Sequence, residues 1–150
     1  MRSSLPDRAM RLSTAHRLVL GMVALVLLFL STVQAQTPRL SLLFLGDNAG
    51  HRPSERFREL APVLKKRGID LTYTDKLTDL TTETLGKYDG LVIYANHTKI
   101  TPEQEKALVG YVEGGKALIA LHSASFCFLN SPAYIEMVGA QFRSHDAGIF

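Results

Sequence analysis

The stretch GLVIYANHTKITPEQEKALVGYVEGGKALIALH, residues 90–122, holds two apolar runs separated by one amphipathic segment. Gly90 to Ala95 and Lys116 to Leu121 are short and almost wholly apolar, the pattern of strands covered on both faces. Between them, Thr101-Pro102-Glu103-Gln104 reads as an N-cap, a proline at the first helical position and a capping-box glutamine. The helix it opens stops at Gly114-Gly115. A strand, a helix and a second strand joined this tightly form a parallel pair with a right-handed crossover. The second strand runs directly into His122.

The same alternation extends on both sides. Leu40 to Gly46 is a further apolar run, followed by a helical segment, Pro53 to Arg67, that carries Phe57, Leu60, Ala61 and Leu64 on one stripe and meets Gly68 at its end. Pro62 lies inside that stretch and is expected to kink or divide it. Ile69 to Thr74 reads as a strand, Thr81 to Lys87 as a short helix and Ser131 to Val138 as a last helix. The expected fold is therefore α/β: a doubly wound, mostly parallel sheet of flavodoxin-like order 2-1-3-4. In such sheets ligands bind outside the carboxyl ends of the strands, at the switch point between the first and third. The loops that matter are residues 47–52, 96–99 and 122–128. There are no internal repeats, no low-complexity tract and no second domain.

The amino terminus follows a different logic. Arg2, Arg8, Arg11 and Arg17 precede a 13-residue apolar run, Leu18 to Leu30, and Val33-Gln34-Ala35 supplies a small-x-small cleavage site. This is the layout of a secretory signal peptide over residues 1–35, and the run is short of the roughly 20 residues that span a bilayer. The expectation is an exported protein, periplasmic or extracellular, with no membrane attachment after cleavage and a domain over residues 36–150. The chain's net charge of +3 comes from the leader, whose four arginines and one aspartate leave thirteen basic and thirteen acidic residues behind. Nucleic-acid binding needs a basic patch on the folded domain, so none is expected. The one basic cluster, Lys65-Lys66-Arg67, falls in the last turn of a helix, where cations oppose the negative end of the dipole. Cys127 is the single cysteine, which excludes an internal disulfide. Gly148-Ile149-Phe150 closes the sequence without a closing element, and the expected sheet is one cut off at its C-terminal side.

Four of the five histidines, His51, His97, His122 and His145, follow strand-like runs and so fall at one edge of the expected sheet. Any one of them alone could be a cap or a packing residue; their convergence marks a site. His122 is expected to be the most enclosed and His97 the most exposed. Asp47, directly after the first strand, could orient an imidazole or cap the next helix. Cys127, between Phe126 and Phe128, reads as a buried hydrophobe rather than a nucleophile. Ser123 and Ser125 lack a Gly-x-Ser-x-Gly elbow, and no phosphate-cradling glycine motif is present. No cofactor is expected. A divalent metal at the histidines is the lesser alternative, since no His-x-x-x-His spacing supports it.

Tyr88-Asp89-Gly90, Asn96-His97, Tyr111-Val112-Glu113-Gly114-Gly115-Lys116, Leu121-His122-Ser123-Ala124, Tyr134, Gly139-Ala140-Gln141-Phe142 and His145 resemble, in order, the ThuA-like (trehalose utilisation) domains. The resemblance runs from about Leu42 to Phe150. It implies a class I glutamine amidotransferase-like fold, in which the amidotransferases place a cysteine at the turn that here carries His122, so glutaminase activity is not expected. It further implies disaccharide metabolism, particularly of keto-sugars, and a family domain that continues past Phe150. Similar modules occur beside dehydrogenase-like propellers and c-type cytochromes, which makes such C-terminal domains candidate partners. On this reading His122 is the general acid/base, with His51 and Asp47 as its catalytic companions. Asn96, His97, Ser123 and His145 bind the small-molecule carbohydrate. A non-catalytic sugar-binding module using the same residues is the alternative, and a structural interaction domain is a third.

Overall fold

The computed structural model describes residues 39–144. The expected signal peptide and His145 lie outside the described residues. The elements are β1 (Leu40–Leu45), α1 (Pro53–Lys65), β2 (Ile69–Thr74), α2 (Thr82–Leu85), β3 (Gly90–Ile93), α3 (Pro102–Glu113), β4 (Ala117–Ala120) and α4 (Pro132–Val138). Single 3-10 turns at Leu77–Asp79 and His122–Phe126 complete them.

The sheet has the order β2-β1-β3-β4 and is parallel throughout. Leu42 pairs with Leu71 on one side and Gly90 on the other, and Gly90 with Ala117. This is the expected α/β, doubly wound arrangement. Alternate residues of β1 and β3 feed two cores. Leu43, Leu45, Leu91 and Ile93 pack with Leu108 and Tyr111 of α3 and Tyr134 of α4. Leu42, Phe44 and Val92 face the other way, toward Phe57 of α1 and Leu71 and Tyr73 of β2.

Local chemistry explains the crossover between β3 and β4. Thr101 Oγ1 accepts from the Gln104 backbone N–H at 3.3 Å, while Gln104 Oε1 accepts from the Thr101 N–H at 3.0 Å. The same glutamine donates from Nε2 to the Leu77 carbonyl at 2.8 Å, tying the start of α3 to the 3-10 turn after β2. One expectation needs correction. Pro62 does not divide α1, which runs unbroken from Pro53 to Lys65. Pro62 is solvent-exposed, so water can take the carbonyl that its missing N–H leaves free. Among the described residues β4 ends the sheet, as the expected order 2-1-3-4 has it, and Ile119 is 39% exposed. No helix among the described residues is long and apolar enough to cross a membrane.

Candidate functional site

Three loops at the carboxyl ends of β1, β3 and β4 build the site. The β1 loop begins at Gly46, whose N–H donates to the Thr74 carbonyl at 2.8 Å. A Cβ at Gly46 would lie 2.6 Å from the Tyr73 ring and 2.8 Å from Pro53, so only glycine permits this approach. Asp47 follows and is buried at 7% exposure. Its Oδ1 accepts from the Ala49 N–H at 2.8 Å, and its Oδ2 accepts from the Asn96 N–H. The carboxylate thus ties the β1 loop to the β3 loop, and among the described residues neither oxygen meets an imidazole. Arg52 adopts a left-handed conformation (φ 55°) just before α1 and pairs with Glu55 at 2.8 Å, which turns the chain after His51.

The β3 loop is clamped from two sides. His97 Nε2 lies 2.9 Å from the Gly46 carbonyl; a carbonyl only accepts, so this nitrogen carries the hydrogen. The Phe128 and Leu129 amides donate to the His97 and Thr98 carbonyls at 2.7 and 2.9 Å. Cys127 is fully buried, and its thiol donates to the Ala95 carbonyl at 3.0 Å. Burial pushes that thiol up to about 12, which keeps it protonated and unreactive near neutral pH.

At the end of β4 the chain turns sharply. Leu121 still donates to the Ile93 carbonyl at 2.9 Å, but His122 is left-handed (φ 45°) and opens the 3-10 turn. Non-glycine residues seldom hold this conformation outside functional turns. Ser123 is buried, and its hydroxyl has no hydrogen-bond partner among the described residues.

These loops enclose a cleft with a cavity volume of about 470 Å³, within the size range of small-molecule sites. His51 and His122 form one side, their ring centroids 4.7 Å apart and nearly perpendicular at 84°. Asn96 and Ser123 also line the cleft. Phe126 and, from the segment after α4, Phe142 line it too, edge to face at 5.8 Å. Tyr94 completes the imidazole side, stacked on His122 at 5.9 Å and 27° and edge-on to His51 at 6.3 Å.

Of the residues expected from sequence, His51, His122, Asn96 and Ser123 come together. Asp47 lies behind them as a loop tie, and His97 is turned to Gly46 instead of the cleft. The expected ranking of exposure is reversed, with His122 exposed and His97 half-buried, because the His97 ring closes against the β1 loop. Tyr94, Phe126 and Phe142 were not expected; aromatic residues beside apolar runs read as core. Among the described residues no group of three or more histidine, cysteine, aspartate or glutamate side chains could hold a metal ion.

None of the curated proteins matches the chain. Among solved structures it is similar to a ThuA-like protein from Bacteroides uniformis, at 22% identity and a TM-score of 0.53, with 70% of this chain and 45% of that one covered. The chain thus spans less than half the length of that relative, and the likeness extends to the fold. The ThuA family model, described as trehalose utilisation, matches residues 41–149, nearly the whole region from β1 onward. By that match the chain belongs to the ThuA (trehalose utilisation) family.

Proposed function

We propose that this domain acts on a sugar, a disaccharide or its keto derivative, through acid/base chemistry by His122 and His51. The observation that carries the reading is the facing pair of imidazoles, 4.7 Å apart, both exposed and neither bonded to another described residue. Imidazole exchanges protons near neutral pH, so one ring can take a proton from a sugar hydroxyl or from a carbon beside a keto group. The other, protonated, donates to the carbonyl or glycosidic oxygen. Asn96 and Ser123 offer hydrogen bonds to hydroxyls. Phe126 and Phe142 offer an apolar wall to the C–H face of a pyranose ring. In the cell we place the protein outside the cytoplasm, after removal of residues 1–35, with dehydrogenase-like or cytochrome domains as partners.

Incubation of the full chain with trehalose and with 3-keto-trehalose, followed by NMR of the products, tests this. Turnover should fall about 10²- to 10⁴-fold in His122→Ala while the fold persists. Calorimetric binding without turnover by either protein would instead favour a sugar-binding module. Neither binding nor turnover would remove the carbohydrate reading. For export, fractionation should recover a product beginning near Gln36, and a full-length cytosolic product would refute it.

A further inference from the structure

An imidazole that moves protons is ordinarily oriented through its second nitrogen by a carboxylate or a carbonyl. Here neither His51 nor His122 has a hydrogen-bonded ring nitrogen among the described residues. Asp47, the acid placed by sequence to do this, has both oxygens committed to the amides of Ala49 and Asn96. Among the described residues, one aromatic ring lies beside both imidazoles. Tyr94 stacks on His122 at 27° and meets His51 edge-on, at centroid distances inside the range where ring pairs attract.

Tyr94 is itself fixed from the core side. Its N–H donates to the Leu45 carbonyl at 3.0 Å, and its ring packs on buried Phe44 at 6.4 Å. It lines a shallow pocket with Arg56, Glu59 and Leu60 of α1, where the Arg56 guanidinium is held by both oxygens of Glu59 at 3.2 and 3.1 Å. A rigid aromatic side chain, anchored in the sheet, therefore supports two rings that come from loops.

We propose that Tyr94 is the positioning residue of the His51–His122 pair, setting the facing arrangement by ring contact in place of a carboxylate. The proposal rests on the reading that the two histidines work as a pair, but its test follows ring placement and not turnover, so the two can fail separately. The probes are the imidazole Cε1–H NMR signals of the full chain and site-resolved modification by diethyl pyrocarbonate, read by mass spectrometry. Tyr94→Phe keeps the ring and should leave both measurements close to wild type. Tyr94→Leu should move the His51 and His122 signals and change their modification rates about fivefold, the population change one ring contact carries. His97, bonded to Gly46, serves as the internal control and should not respond. If Tyr94→Leu does not fold, Tyr94→Met, closer to tyrosine in volume, takes its place. A folded Leu or Met variant with unchanged His51 and His122 signals and rates overturns the proposal. An equally large change in Tyr94→Phe also overturns it, because the hydroxyl and not the ring would then set the geometry.

Discussion

Replacing His122 with glycine and with alanine separates the cost of the turn from the work of the imidazole. His122 sits at φ 45°, in the left-handed region. That conformation costs a residue with a Cβ about 1–2 kcal/mol. Glycine escapes it, but loses about 0.4–1 kcal/mol through the greater freedom of its unfolded chain. His122→Gly should therefore be more stable than His122→Ala by about 0.5–1 kcal/mol, a Tm difference of about 2–6 °C for a domain near 100 residues. Both variants lose the same exposed imidazole, so side-chain contacts cancel in the comparison. Calorimetry and urea denaturation read the difference; the urea slope should match in the two, so that a shift in midpoint is a shift in stability. Sugar turnover or binding should fall equally in both. An alanine variant as stable as the glycine variant would refute the idea that the turn stores strain to present His122.

Three further outcomes follow from the structure. Asp47→Ala removes two hydrogen bonds from a buried carboxylate to backbone amides and should destabilise the domain by about 2–4 kcal/mol in urea; full stability with lost activity would make Asp47 a catalytic group instead. Burial raises the Cys127 thiol from 9.0 to about 12, so its share of stability is present below pH 9 and disappears as pH climbs toward 12; Cys127→Ala should flatten that alkaline limb in pH-dependent melting curves. The Ser41 amide, and then Lys116, hold Asp89 below its ordinary carboxylate value of 3.8, so its contribution is present above that value and lost as pH falls through the lowered one. Asp89→Asn should flatten the acid limb, and an unchanged acid limb would exclude that role.

How much of this was legible beforehand depends on the range of each interaction. The β3–α3–β4 unit was readable because its signals are local: a capping box within four residues, a double glycine at the helix end and two apolar runs. The parallel order followed from alternation alone. The place of β4 beside β3 followed in the same way, from the short crossover that α3 makes between them. Placing His51 and His122 after strands brought them to the same edge, but the partners of Asp47 were hidden. They are backbone amides, Ala49 and Asn96, that carry no sequence signature. Tyr94 was missed for the opposite reason: a tyrosine ending an apolar strand reads as packing, and here it is packing on one side and site on the other. His97 followed the same strand-end rule as the cleft histidines, yet its ring closes on Gly46.

The central claim is that His51 and His122, carried by different loops, act as one unit. A double-mutant cycle tests it most directly: His51→Ala, His122→Ala and the double variant, each confirmed as folded, assayed on 3-keto-trehalose by kcat/KM or, where only binding occurs, by Kd. The account predicts that each single variant loses most of the effect and that the double loses little more, a coupling of about 1–3 kcal/mol. Additive losses, or a single variant that retains full activity, would contradict it.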